Sequence, residues 1–157
     1  MTFRNANSAD LPQIAGLYRA AIGTPGCTWN ENYPGAFELE HDLANGNLYV
    51  LSEGETVIGA VSVVSPNELD EAYAWEIQNA REIARVVISQ DHRGRGLAAQ
   101  MLLKLFEKLR QEGCAAIHLS AACCNAAAIK TYQRLDFSFL AQAHLYGHQF
   151  YLCEKKL

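Results

Sequence analysis

The run Arg93-Gly94-Arg95-Gly96-Leu97-Ala98 constrains the fold of this chain more than any other stretch. It separates a β-rich segment at 82–88 from an amphipathic segment at 97–112, which predicts a strand, a glycine loop and a helix in that order. Glycine lets the backbone approach an anion closely, and the first N–H groups of a helix have no intrahelical partner. The helix dipole and the side chains of Arg93 and Arg95 add positive charge at the same place. The run therefore predicts a site for a pyrophosphate group.

The rest of the sequence alternates between strand and helix patterns, which predicts one α/β domain (α+β in some schemes) over residues 1–157. No repeat, low-complexity tract or linker interrupts it. Helices are predicted at 11–22, 36–45, 97–112 and 125–135. Strands are predicted at 2–6, 47–52, 56–64, 82–88, 116–121, 137–143 and 149–153, with 72–77 as an extension of a neighbouring strand.

Composition and charge exclude several classes of protein. The formal net charge is −4 and no basic stripe follows any segment, which argues against a nucleic-acid partner. No apolar run reaches the length of a membrane span, and residues 1–10 lack the apolar centre of a secretory signal. The five cysteines are odd in number and have no paired CxxC spacing, which predicts neither a disulfide framework nor a metal site. We therefore expect a cytoplasmic protein with no membrane or nucleic-acid partner.

Segment 88–98 carries a resemblance to a known family. It resembles the acetyl-CoA signature of the GNAT N-acetyltransferase superfamily, whose Q/R-x-x-G-x-G/A core is met here by Arg93, Gly96 and Ala98. Stretches 29–34 and 150–157 resemble a bacterial branch of that superfamily.

A second motif downstream agrees with the first. Asn125, Ala128, Tyr132 and Phe137 resemble the family's N-x-x-A-x-x-x-Y-x-x-x-G-F pattern, and Asp136 stands where the family usually has glycine. An aspartate tolerates the left-handed backbone conformation that this position requires. Two motifs in the right order and at the right separation identify the chain as a member of the family more firmly than either does alone.

The resemblance implies the GNAT fold, a mixed central sheet of about six to seven strands flanked by about four helices. It also implies acetyl-CoA as the acyl donor, with no metal. The expected cofactor contacts are the pyrophosphate loop, the strand before it that pairs with the pantetheine arm, and two residues of the second motif: Arg93, Gly94, Arg95, Gly96, Leu97 and Ala98; Val86, Val87 and Ile88; Asn125 and Tyr132.

Acyl transfer to an amine also requires a base, because an alkylamine has a pKa of about 10 and is mostly protonated at neutral pH. Some family members carry a general-base glutamate at the position of Glu82, and regular alternation places this side chain on the same side as Val86 and Ile88. The alternatives are that Glu82 occupies a solvated strand end, or that Glu76 or a chain of waters takes the proton.

The leaving thiolate gains from a proton, and the family's motif implies that the Tyr132 hydroxyl supplies it. The alternative role for Tyr132 is packing on its helix face. The sequence thus favours an enzyme that moves an acetyl group to a primary amine by direct transfer in a ternary complex. A route through an acyl-cysteine at Cys123 or Cys124 and a non-catalytic acyl-CoA sensor are the alternatives. The acceptor is a small-molecule, peptide or protein amine. Many relatives form dimers, so a homodimer is one option, and the sequence leaves the oligomeric state open.

Overall fold

The computed structural model describes residues 1–157 and contains seven strands and four α-helices. The strands are β1 (Thr2–Asn5), β2 (Leu48–Glu53), β3 (Thr56–Val64), β4 (Ala80–Ile88), β5 (Ala116–Ala122), β6 (Ser138–Leu145) and β7 (His148–Lys156). The helices are α1 (Leu11–Ala21), α2 (Ala36–Ala44), α3 (Leu97–Gln111) and α4 (Ala126–Arg134). Short 3-10 turns lie at Ser8–Asp10, Leu69–Glu71 and Gln90–His92. None of the helices combines the length and apolarity needed to cross a membrane.

The strands form one mixed sheet in the order β1-β2-β3-β4-β5-β7-β6. The predicted architecture of six to seven strands and about four helices is therefore confirmed. Only β4 and β5 run parallel, and they pair only from Ala80 opposite Ala116 to Glu82 opposite His118. Beyond Glu82 and His118 the two strands no longer pair and diverge, which leaves a V-shaped opening in the middle of the sheet.

Strand β4 contains a bulge beside this opening. Ser62 of β3 pairs with Ala84, but Ala60, two residues earlier, pairs with Val87, so β4 holds one extra residue. Arg85 lies within the bulge and has a φ of 54°, a left-handed conformation unusual for a residue other than glycine. A bulge of this kind moves every later side chain to the other face of the sheet.

The bulge makes one prediction wrong. Glu82 does not share a face with Val86 and Ile88, because the extra residue interrupts the alternation on which that prediction depended. Val86 and Ile88 pack in the core beneath α3, whereas Glu82 contacts Leu69 on the opposite face.

Each face of the sheet is covered by a separate apolar core. Helix α3 is amphipathic and contributes Met101, Leu102 and Leu105, all fully buried, to the larger core. Helices α1 and α2 cover the other face around Ile14 and Leu39. Burial of one such side chain contributes about 1.5–3 kcal/mol to the free energy of folding. The two cores therefore hold the divergent strands β4 and β5 in place.

Two local features complete the fold around the opening. The prediction that 72–77 extends a strand is wrong, because this segment belongs to an irregular covering loop, residues 65–79. Trp75 of the covering loop is only 6% exposed and donates from Nε1 to the Leu69 carbonyl at 3.1 Å. After α4, Asp136 adopts a φ of 63°, the left-handed conformation expected at this helix end.

Candidate active site

The glycine loop ends directly at the start of α3, and its backbone N–H groups are free. Gly96 is the residue that caps α3; it has a φ of 70° and offers no side chain to the helix. No protein acceptor lies within hydrogen-bonding distance of the N–H groups from Gly94 to Ala99. These donors, together with the helix dipole, form an anion site with the chemistry that a pyrophosphate requires.

A cavity of about 440 Å³ connects this loop with the V-shaped opening. It brings together most of the residues that the sequence singles out as cofactor contacts. Those lining it are Val86, Val87, Ile88, Arg93, Gly94, Gly96, Leu97, Ala98, Asn125 and Tyr132. Arg95 does not line the cavity, and its side chain is exposed to solvent.

Helix α4 forms one wall of the cavity and begins at Asn125. The Asn125 side chain accepts a hydrogen bond from the Ala128 N–H at 3.1 Å, so it caps the helix while facing the cavity. Tyr132 is 7% exposed and packs edge-on against Phe137 with ring centroids 5.5 Å apart. Burial raises the pKa of the Tyr132 hydroxyl above its ordinary value, so the hydroxyl is protonated at neutral pH, as an exposed tyrosine also is. The packing role and the proton-donor role predicted for Tyr132 are therefore compatible.

Another part of the cavity wall is a segment that the sequence did not single out as a cofactor contact. Residues 24–29, in the connection between α1 and α2, line the cavity next to the start of α4. Gly26 approaches so closely that a Cβ atom there would lie 2.7 Å from the Asn125 Cα. Pro25-Gly26 marks a turn in the sequence, but nothing local shows that this turn packs on a helix start a hundred residues away.

Glu82 lies beside the cavity, and no part of it lines the cavity wall. Glu82 and His118 form the last residue pair of β4 and β5 before the strands diverge. The next two residues of β4, Ile83 and Ala84, line the cavity. Its Oε1 accepts a hydrogen bond from the Leu69 N–H at 2.7 Å. Burial raises the pKa of Glu82 to about 7, partly offset by that N–H group. Its side chain is therefore a carboxylate that can exchange a proton near neutral pH.

The alternative proton acceptors and nucleophiles lie elsewhere. Glu76 is exposed on the covering loop and does not line the cavity. Cys123 and Cys124 are free thiols outside the cavity lining. The geometry therefore gives no support to an acyl-cysteine route.

The fold and the candidate site are those that the resemblance to the GNAT superfamily implies, and comparison with known proteins agrees. The acetyltransferase (GNAT) family model matches residues 14–137. The chain is 27% identical over 155 residues to an L-methionine sulfoximine/L-methionine sulfone acetyltransferase of Pseudomonas aeruginosa, covering 95% of this chain and 87% of the relative. This chain belongs to the GNAT acetyltransferase family, as the two sequence motifs predicted.

Solved structures share the fold. A GNAT-family acetyltransferase of Streptococcus agalactiae has a TM-score of 0.85 at 23% identity, with 99% of this chain and 95% of that one covered. A phosphinothricin acetyltransferase of Sinorhizobium meliloti, solved in complex with acetyl-CoA, has a TM-score of 0.77 at 21% identity, with coverage of 99% and 88%. Family membership supports an acyltransferase that uses acetyl-CoA.

Proposed function

We propose that this protein transfers an acetyl group from acetyl-CoA to the primary amine of an acceptor by direct attack in a ternary complex. The observation that carries the proposal is the row of free N–H groups from Gly94 to Ala99 at one end of a cavity that reaches Tyr132. A pyrophosphate on those N–H groups directs the rest of a coenzyme A molecule along β4 and toward the V-shaped opening. The family's acetyl-CoA chemistry and the geometry of this chain therefore agree.

The proposed reaction requires two proton transfers, one from the acceptor amine and one to the leaving thiolate. Formation of the amide bond releases a proton from the acceptor nitrogen, and rupture of the C–S bond leaves a thiolate. In the proposed mechanism Glu82 takes the first proton, directly or through a water, because its raised pKa of about 7 suits a base at neutral pH. Tyr132 supplies the second from its hydroxyl, which is protonated at neutral pH although burial makes it a weaker acid than an exposed tyrosine.

The names of the relatives indicate which class of acceptor amine to test first. The Pseudomonas aeruginosa relative is named for two L-methionine derivatives, each of which carries an α-amine. We therefore propose that L-amino acids and their derivatives head the list of candidate acceptors, followed by peptide amines and other small primary amines.

Two measurements on the wild-type protein test the proposal. CoA at 100 times its dissociation constant should stabilise the fold by about 2.7 kcal/mol and raise the Tm by roughly 5–10 °C. Release of free thiol from acetyl-CoA should depend on an amine from a panel of amino acids, peptides and simple amines. Binding of CoA with no amine-dependent release would identify a non-catalytic sensor, and no thermal shift would exclude the cofactor site.

Tyr132→Phe separates the proton donor from the packing role. The ring and its contact with Phe137 remain, so we expect the CoA-induced Tm shift to persist while kcat falls about 10- to 100-fold. The decrease is modest for acid catalysis because a thiolate, with a pKa of about 8.5, is already a fair leaving group. Tyr151→Phe, on β7 outside the cavity, is the matched control. Equal turnover in the Tyr132 variant would remove the acid role.

A further inference from the structure

Arg85 on β4 and Tyr33, in the connection between α1 and α2, form a hydrogen-bonded pair that leaves some of its donors unused. Arg85 donates from Nε and Nη2 to the Asp42 carboxylate, and from Nη1 to the Tyr33 hydroxyl at 3.0 Å. Nη1 has a second N–H bond, which finds no acceptor in the protein. The Tyr33 hydroxyl accepts from Arg85, and its own proton also has no protein acceptor. Two unused donors therefore lie side by side, on atoms 3.0 Å apart.

The pair lies where a ligand can approach it. Arg85 lines the cofactor cavity, and Tyr33 is 40% exposed to solvent. The contact of the guanidinium with Asp42, a residue of α2, is buried by comparison. Asp42 therefore holds the guanidinium in place, while Nη1 and the Tyr33 hydroxyl remain free to donate to an acceptor molecule. Donors fixed in this way lose little conformational freedom when they bind.

The unused donors lie on the same face of the sheet as Glu82. Glu82 lies on the face opposite α3, and Arg85 binds α2, which covers that same face. The Tyr146 hydroxyl is close to both groups, because its pKa is raised first by burial and then by the charges of Glu68, Tyr33 and Glu82. Glu82 and Arg85 are about 10 Å apart along β4. An acceptor of amino-acid size whose amine lies beside Glu82 can therefore also contact the pair.

The charges around the pair favour a neutral oxygen over a carboxylate. The Asp42 carboxylate already balances the charge of the Arg85 guanidinium. Burial raises the pKa of Glu82, and the negative charges of Glu68 and Asp70 on the covering loop add to this effect. A carboxylate on the acceptor would be repelled by these groups. A carbonyl oxygen accepts the same hydrogen bonds without adding a charge.

We propose that Arg85 Nη1 and the Tyr33 hydroxyl bind an uncharged carbonyl oxygen next to the acceptor's amine, which makes amino-acid amides and peptide N-termini the preferred acceptors. The inference rests on the proposed function, in which the acceptor amine lies beside Glu82, and it ranks the candidate acceptors given there. Arg85 and Tyr33 bind the acceptor and take no part in the two proton transfers.

Three amines with one carbon skeleton test the proposal on the wild-type protein: L-leucinamide, L-leucine and 3-methylbutylamine, which lacks the carbonyl group. Their kcat/KM values are compared per concentration of unprotonated amine, because an alkylamine has a pKa of about 10 and an α-amine one of about 8. Leucinamide should exceed each of the other two by about 10-fold, the effect expected for loss of one or two hydrogen bonds. Leucine or 3-methylbutylamine as good as leucinamide would overturn the proposal.

Tyr33→Phe removes one of the two donors and keeps the ring. We expect kcat/KM to fall about 3- to 10-fold for leucinamide and to stay the same for 3-methylbutylamine, which has no oxygen to lose. Tyr33 is partly exposed and lies outside the cavity lining, so the CoA-induced Tm shift should persist. Tyr151→Phe on β7 is the matched control and should leave both amines unaffected. Equal losses with the two amines, or no loss with either, would contradict the proposed contact.

Fluorine nuclear magnetic resonance tests the same contact without turnover. In protein labelled with 3-fluorotyrosine and mixed with CoA, the Tyr33 signal is the one that is missing from Tyr33→Phe. Saturating leucinamide should move this signal, and 3-methylbutylamine should not. A Tyr33 signal that responds to neither amine, or equally to both, would overturn the proposal. A response to leucinamide alone, with no acetylation of any amine, would support the binding site and reject the proposed function, so the two failures are distinguishable.

Discussion

Glu82→Gln should lower kcat/KM at neutral pH by about 100-fold or more, the range expected for loss of a general base. Glutamine keeps the shape of the side chain, and its amide oxygen can still accept the hydrogen bond from Leu69 N–H that Glu82 accepts at 2.7 Å. The wild-type profile should show an acidic limb near pH 7, because burial raises the pKa of Glu82 to about 7 and only the ionised form can take a proton. That limb should disappear in the variant.

The same substitution should stabilise the protein above neutral pH. The folded protein holds the Glu82 proton more tightly than the unfolded chain does, so the stability that Glu82 contributes is complete below about pH 4.5 and is lost as the pH rises through about 7. Relative to the wild type, Glu82→Gln should therefore gain stability across this interval, up to roughly 3 kcal/mol. Urea unfolding at several pH values measures it, with the exposed Glu40→Gln as control.

Loss of activity together with a gain in stability is the signature of a buried functional carboxylate, because its charged form is costly in the fold and useful in the reaction. If Glu82→Gln keeps its activity, Glu76 or a chain of waters takes the proton of the acceptor amine instead. A variant that loses both activity and stability would assign Glu82 a structural role only.

The contrast between Glu82 and the glycine loop shows how far the sequence predicts this site. The loop, α3 and Asn125 were predictable because their signals are local: glycines before an amphipathic segment, and a capping residue at a helix start. The face on which Glu82 lies was not predictable, because alternation assumes a regular strand. The bulge that reverses it depends on the pairing of β4 with β3.

The cavity wall at 24–29 escaped prediction for a related reason. In the sequence Gly26 is one glycine in a turn, and Asn125, against which it packs, lies about a hundred residues further along the chain. Contacts between segments so far apart produce no periodic pattern in the sequence. The sheet and helices follow from local patterns, whereas the surroundings of Glu82 and of the cavity follow from packing alone.

Arg85 carries the second large expected effect. Its guanidinium Nη2 lies 2.8 Å from Asp42 Oδ2 and 3.0 Å from Oδ1, and Ser62 donates to the same carboxylate at 2.6 Å. The side chains of Arg85 and Asp42 are only 8% and 2% exposed. The ion pair thus joins α2 to the bulge of β4, where the strands begin to diverge. Arg85 also donates from Nη1 to the Tyr33 hydroxyl at 3.0 Å.

Arg85→Met should lower the free energy of unfolding by about 3–5 kcal/mol, because it leaves the Asp42 carboxylate buried without its counter-charge. Methionine has a similar length and bears the same strain at a φ of 54°, so the comparison isolates the charge. The double variant Arg85→Met/Asp42→Asn should be more stable than the sum of the two single changes by at least about 1 kcal/mol. Denaturant unfolding of the four proteins measures this coupling.

An exposed ion pair of similar geometry is the control. Arg110 Nη2 lies 2.7 Å from Glu107 Oε1 on α3, but the two side chains are 56% and 51% exposed. Arg110→Met should change the free energy of unfolding by less than about 1 kcal/mol, because water and salt screen such pairs. Equal effects of the two arginine substitutions would show that burial adds nothing to the Arg85–Asp42 pair. A large, coupled effect at Arg85 alone would show that the bulge beside the cofactor cavity is held by charge as well as by packing.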